Sequence, residues 1–140
     1  MPYRKATIRP YQDEDESLLF TLAQGVFGSR GSWDDSRTLT ALETETVFVA
    51  EVEGGPAGFV ALEQSADAIR IAHLLVNPVH EGEGVGRQLL EYAEGYAISQ
   101  GAFRLQVVVE GDNRRARDFY RSRGFVASSG EIFELVLPHA

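Results

Sequence analysis

The passage from Ala68 to Glu110 constrains this chain more than any other. It begins as the strand pattern AIRIAHLLV and breaks at HEGEGVGR, with glycines at 82, 84 and 86. It continues with Val85, Leu89, Ala93, Tyr96 and Ala97 on one helical face and ends in the apolar run AFRLQVVVE. Apolar residues at every second position belong to a strand, and apolar residues three and four apart belong to a helix. A strand, a helix and a strand in that order make a crossover, so the two strands run parallel and the helix lies across one face of their sheet. The uninterrupted valines 107 to 109 fit a strand buried on both faces, as parallel strands are, and the helix is expected to stop near Gly101.

The flanking segments add mixed α/β elements around this crossover. Upstream, ATIRP reads as a short strand. YQDEDESLLFTLAQGVFG reads as a helix capped near Asp13, with Leu18, Leu19, Leu22 and Val26 at helical spacing. SRGSWDDSRTLTALETE starts as a loop and becomes a second helix entered through Asp34 or Asp35. TVFVAEVEG and AGFVALEQS are strands joined at Gly54-Gly55-Pro56, and the strand AIRIAHLLV follows after a turn near Ala66-Asp67, completing an antiparallel meander. Downstream, DNRRARDFYRSRGF is a helix capped by Asp112 or Asn113, with Ala116, Phe119 and Tyr120 on one side. FVASS and EIFELVLP form a last pair around Ser129-Gly130. No repeat or low-complexity tract divides residues 1–140, which are read as one domain.

Composition excludes several classes of function. No apolar run approaches the roughly 20 residues that span a bilayer, and none follows the basic residues of MPYRKATIRP, so no membrane association and a cytoplasmic location are expected. With no cysteine there is no thiol nucleophile and no disulfide framework. The net charge of −8 argues against nucleic acid as a partner despite the arginines of NRRARDFYRSR, and it suits a cationic small molecule better.

A strand that ends in a glycine turn and feeds a helix leaves N–H groups unpaired at the helix start, where they can bind phosphate. HEGEGVGR lacks the Lys-Ser or Lys-Thr of a Walker loop and misses the G-x-G-x-x-G spacing, so alone it reads equally as a tight turn with close helix packing. Taken together with NRRARDFYRSRGF one strand later, HLLVNPVHEGEGVGRQLL resembles the GNAT superfamily of acetyl-CoA-dependent N-acetyltransferases. The match is to that family's V-x-P-x-x-R-G-x-G-x-G-x-x-LL and N-x-x-A-x-x-F-Y-x-x-x-G-F patterns, over roughly residues 70 to 126.

The resemblance implies a GNAT-like acyl-CoA N-acyltransferase fold of α/β class, a twisted mixed sheet of about six or seven strands with helices on both faces. It implies acetyl-CoA as co-substrate, bound where the sheet splits near Leu74, Leu75 and Val76, with no metal. The acetyl group would pass directly to a primary amine of a small molecule or peptide in a ternary complex. Backbone N–H groups of Gly82, Glu83, Gly84, Val85, Gly86 and Arg87 would hold the pyrophosphate. Leu74 to Val76 would pair with the pantetheine arm and polarise the thioester carbonyl, Asn113 would contact the arm, and Tyr120 would protonate the departing thiolate. The sequence leaves the oligomeric state open, and the resemblance makes a homodimer possible, since members of this family often pair.

Departures from the family pattern sharpen the reading. Glu81 stands where the family usually has Arg or Gln. At about 4 Å from a phosphate its charge would cost a few kcal/mol, more than the roughly 0.3 to 1 kcal/mol gained in a helix's first turn, so it is expected to point away. Arg87 is then the nearest cation, with Arg114, Arg115 and Arg117 as further candidates. No acidic residue occupies the usual base positions, here Arg70, Ala72 and Val108. His73, Glu51, Glu63, Glu110 and His80 remain candidates and none is singled out. The same gap is what a non-catalytic acyl-CoA-binding sensor of this fold would show. Trp33, Asp34 and Asp35 are candidates for an aromatic and acidic wall that receives a cationic amine.

Overall fold

The computed structural model describes residues 3–17 and 46–138. The apolar stripe Leu18 to Val26, the second expected helix, and Trp33, Asp34 and Asp35 lie outside the described residues. Strands β1 (Thr7–Pro10), β2 (Thr46–Val52), β3 (Gly55–Ser65), β4 (Ala68–Val76), β5 (Arg104–Val108), β6 (Val126–Ser129) and β7 (Ile132–Val136) form one sheet in the order β1-β2-β3-β4-β5-β7-β6. Every neighbouring pair is antiparallel except β4 and β5, which the crossover makes parallel. Helix α1 (Val85–Ser99) makes that crossover, and α2 (Arg114–Ser122) links β5 to the last hairpin.

The β2–β3 turn sits earlier than Gly54-Gly55-Pro56. Glu53 and Gly54 both have positive φ, at 54° and 79°, the conformation of a two-residue hairpin turn, and Gly55 already begins β3. At the other end of the meander, Ala61 pairs with His73 while Leu62 pairs with Ile71, so Ala72 is an extra residue in β4. Such a bulge bends its strand and reverses which side chains face each way. Ile69 and Ile71 before it belong to the core, and Leu74 and Val76 after it, partly buried, pack against that same core. Pairing of β4 with β5 stops at Ile71 and Val107, one residue before the bulge, and the two strands diverge beyond that point.

The divergence also corrects the expectation for the valine run. Val107 and Val109 are buried, but Val108 is 51% exposed, because β5 has lost its neighbour on that side and its outer face is open there. Both described helices pack on one face, where Leu89, Leu90, Ala93 and Ala97 of α1 and Tyr120 of α2 meet Val60, Leu62, Ile69, Leu105 and Phe133. A fully buried side chain of that size contributes about 1.5 to 3 kcal/mol, so this layer dominates the stability of the crossover. On the opposite face, Val47, Val49, Phe59, Ala61 and Leu75 are buried by strand alternation with the first set.

The chain before the first expected helix is held by charge. Asp15 is 3% exposed, and it accepts hydrogen bonds from Arg9 Nη1 and Nη2 at 2.8 Å each and from the Gln12 amide at 2.8 Å. Arg9 Nε reaches Glu51 on β2 at 3.1 Å. The Arg9 guanidinium, aided by the Gln12 amide, holds the Asp15 carboxyl below its ordinary range. Removing one partner of a buried pair costs about 3 to 5 kcal/mol, and Arg9 keeps some water, so Asp15→Asn is expected to cost about 2 kcal/mol at neutral pH. A carboxyl whose folded value is depressed adds stability above its unfolded pKa of about 3.9 and loses it as pH falls through the folded value. Urea denaturation of both proteins should therefore show a gap at pH 7 that closes below about pH 4.

Candidate active site

Where β4 leaves β5, a cleft of about 480 Å3 opens between the end of β4, the glycine turn and α2. The Asn77 amide donates to Ala57 O at 2.7 Å, fixing the phase of the β4 backbone. In an antiparallel pair alternate residues bond to the same neighbour, so Leu75 also bonds toward β3. The N–H and C=O groups of Leu74 and Val76 then face the divergent side, where β5 no longer pairs with them.

The glycine turn is built around a short 3-10 turn, Pro78–His80, with the Asn77 side chain accepting from Val79 N at 3.1 Å. Glu81 N donates to Pro78 O at 3.2 Å, Glu83 N to His80 O at 3.3 Å, and Gln88 N to Gly84 O at 3.1 Å, which opens the α1 ladder. The N–H groups of Gly82, Gly84, Val85, Gly86 and Arg87 have no partner among the described residues. Gly84 caps α1 with φ of 84°, a conformation glycine adopts without strain. The turn is thus a row of free donors at a helix start, which suits an anion.

Glu83 departs from its expected place in that row. Its amide is taken by His80 O and its carboxylate Oε1 lies 2.8 Å from His80 Nδ1, with both side chains largely buried. Glu81 is not turned wholly away either. It sits at the cleft rim with Oε1 3.3 Å from Arg115 Nη2 on α2, because that guanidinium offers the countercharge nearest the mouth. Arg87 also lines the cleft, with Nε 3.6 Å from Glu91. Arg117 is turned back onto Gly111 O at 2.8 Å.

On the α2 side, Asn113 caps the helix, its Oδ1 accepting from Ala116 N at 3.2 Å, and it also borders the cleft. Tyr120 lies two turns on, 7% exposed, with its ring edge-on to Phe119 at 5.1 Å and to Phe125 at 5.3 Å. Burial raises its phenol well above the ordinary tyrosine value, so the group stays protonated and can donate at physiological pH. The structure therefore brings Leu74, Leu75, Val76, Gly82, Gly84, Val85, Gly86, Arg87, Asn113 and Tyr120 to one cleft and leaves Glu83 outside it.

Ala116 and Phe119 border the cleft too. Their helical spacing with Tyr120 marked them as one apolar face but carried no sign that the face meets a cleft. Of the base candidates, Glu51 is bound to Arg9, Glu63 lies 3.9 Å from Arg70, and Glu110 is exposed. His80 borders the cleft and is held by Glu83, while His73 lies beyond the bulge on the same face as Leu75, away from the helices. Among the described residues no group of His, Asp and Glu is arranged to hold a metal, and no helix is long and apolar enough to cross a membrane.

Comparison with known proteins places these features in company. The acetyltransferase (GNAT) family model matches residues 9–125. The streptothricin acetyltransferase of Streptomyces lavendulae is 34% identical over 105 residues, 74% of this chain and 51% of that protein. An uncharacterized N-acetyltransferase of Archaeoglobus fulgidus is 35% identical over 92 residues, 61% of this chain and 63% of that protein. The chain thus spans about half to two thirds of these curated relatives. In fold, the ribosomal-protein-S18-alanine N-acetyltransferase of Escherichia coli superposes with a TM-score of 0.82 at 21% identity, covering 97% of this chain and 96% of that one. The PaiA N-acetyltransferase of Thermoplasma acidophilum, solved in complex with coenzyme A, superposes with a TM-score of 0.73 at 18% identity, covering 96% of this chain and 99% of that one.

Proposed function

This chain belongs to the GNAT acetyltransferase family, and from that premise we propose that it transfers the acetyl group of acetyl-CoA directly to a primary amine in a ternary complex. The observation that carries the reading is the pairing, across one cleft, of free backbone donors on the glycine turn with a buried, protonated phenol on α2. The donors of Gly82, Gly84, Val85, Gly86 and Arg87 fit a pyrophosphate, which needs several N–H groups and close backbone approach. The unpaired edge of Leu74 and Val76 fits the amide-bearing arm that follows, with Asn113 facing it from α2.

In the reaction the amine lone pair forms a C–N bond to the thioester carbonyl carbon, negative charge collects on the carbonyl oxygen, and the C–S bond then breaks. Backbone N–H groups at the β4 edge stabilise the first charge, and Tyr120 donates its proton to the sulfur as the second develops. The cationic nitrogen of the tetrahedral intermediate gives its proton to water, leaving a neutral amide, and the phenol recovers a proton from solvent. The chain has no cysteine to carry an acetyl intermediate, which agrees with direct attack. The acidic net charge favours a cationic acceptor.

Initial rates of thiol release, varied in both acetyl-CoA and amine, test the proposal. Intersecting reciprocal plots support a ternary complex, and parallel ones would contradict it. Coenzyme A binding without turnover on any amine would favour the sensor reading. The charge at the rim gives a separate expectation. Glu81→Arg removes a carboxylate from the cradle's edge and releases Arg115, so coenzyme A should bind about fivefold more tightly at low salt, with the gain shrinking as salt rises. Calorimetric titration at two ionic strengths checks this, and an unchanged or weaker affinity would count against placing phosphate beside Glu81.

A further inference from the structure

The side of the glycine turn that faces away from the cleft is covered by the segment Tyr3 to Ala6. Gln88, the residue after the last free amide, is 8% exposed, and its side chain hydrogen-bonds this segment to α1. Its Nε2 donates to Arg4 O at 2.7 Å and to Gly84 O at 3.2 Å, and its Oε1 accepts from Ala6 N at 2.9 Å. Arg4 N donates to Glu83 O at 2.9 Å. The Tyr3 ring lies over Gly84, where a Cβ would come within 2.9 Å of it.

These contacts determine which way the turn's peptide groups point. In a trans peptide the C=O and the following N–H point in opposite directions. The Glu83 carbonyl is held outward by Arg4, so the Gly84 N–H on the same peptide is aimed at the cleft. The Gly84 carbonyl accepts from both the Gln88 amide and Gln88 Nε2, so the helix itself already fixes the Val85 N–H, and the strap acts on the Glu83–Gly84 peptide. Released from Arg4, the Glu83–Gly84 peptide could rotate and present its carbonyl oxygen to an anion.

We propose that Gln88, acting through the strap Tyr3 to Ala6, is a positioning residue for the phosphate cradle, holding the Gly84 amide toward the cofactor. This rests on the reading of the turn as the cradle for acetyl-CoA. Gln88→Met keeps the side chain's length and removes its hydrogen bonds. It should raise the Kd for coenzyme A and the KM for acetyl-CoA about tenfold, with kcat within about threefold of wild type. Tyr3→Ala, at a residue 61% exposed and so tolerant of change, should raise the same Kd about threefold. The double variant should bind no more weakly than Gln88→Met alone, because both act on one contact network.

Calorimetric titration with coenzyme A reads all four proteins. A normal Kd in both single variants, with a lowered melting temperature in Gln88→Met, would overturn the proposal by reducing Gln88 to a packing residue. Additive losses would overturn the shared strap. Failure of wild type to bind coenzyme A would instead defeat the cradle reading itself, and the inference with it.

Discussion

Tyr120→Phe is expected to lower kcat about a hundredfold or more, while the Kd for coenzyme A stays within about twofold and the protein remains folded. Phenylalanine fills the same space and keeps the edge-on contacts to Phe119 and Phe125, so the core around α2 loses nothing but the hydroxyl. That hydroxyl makes no hydrogen bond to another described residue, so its removal leaves no buried partner stranded among them. In the proposed reaction the variant lacks a proton donor at the point where negative charge reaches sulfur. Burial holds the phenol protonated to higher pH than an exposed tyrosine. The wild-type rate should therefore show no loss through Tyr120 ionisation up to about pH 10. A kcat for Tyr120→Phe within threefold of wild type would remove the phenol from the chemistry.

Gly58→Ala should produce the largest change outside the reacting centre. Gly58 on β3 lies opposite Val76 at the end of β4, and a Cβ there would fall onto the Leu75 carbonyl oxygen, 3.2 Å from Leu89 Cδ1 and 3.3 Å from Val76 Cα. The obstacle is backbone and cannot rotate aside, so the end of β4 must move. Overpacking of this kind costs about 1 to 3 kcal/mol, and the upper part of that range is expected because the obstacle is backbone. The displaced segment is the one whose free edge faces the cleft, so the Kd for coenzyme A should rise along with the loss of stability. Urea denaturation and calorimetry on the same preparation measure both. A stability within about 0.5 kcal/mol of wild type would show that β4 accommodates the methyl, and the rigid strand end inferred here would be wrong.

The crossover was legible because each of its elements has its own period. The start of α1 at Val85, between the second and third glycines of the run, the cap at Asn113 and the meander into β4 follow from local pattern and turn chemistry. The cleft was legible through the family resemblance, which puts the split near Leu74 to Val76, and not through local pattern. It depends on where β4 and β5 stop pairing and on the extra residue Ala72, and both are matters of register between strands distant in sequence. For the same reason the valine run misled, since burial of Val108 requires a neighbour that β5 lacks at that level. The insertion of β7 between β5 and β6 is likewise a choice of partner that the alternating pattern of those strands does not encode.

The site shows the same division. Gly82, Gly84, Asn113 and Tyr120 stand out by residue type and spacing, and they meet at one cleft. Glu83 looked like its neighbours in the run, but the hydrogen bond from its amide to His80 removes it from the row of donors. Gln88 gave no signal because its partners, Arg4 and Ala6, lie more than 80 positions away.

The central claim is that this cleft moves an acetyl group onto an amine. The most direct test incubates the protein with acetyl-CoA carrying isotopic label in the acetyl group and a panel of cationic and neutral primary amines, followed by mass spectrometry of the amines and quantification of free coenzyme A. Labelled N-acetyl product is expected from at least one amine, equal in amount to the coenzyme A released and nearly absent with Tyr120→Phe. Saturable coenzyme A binding with no labelled amine anywhere in the panel would contradict it.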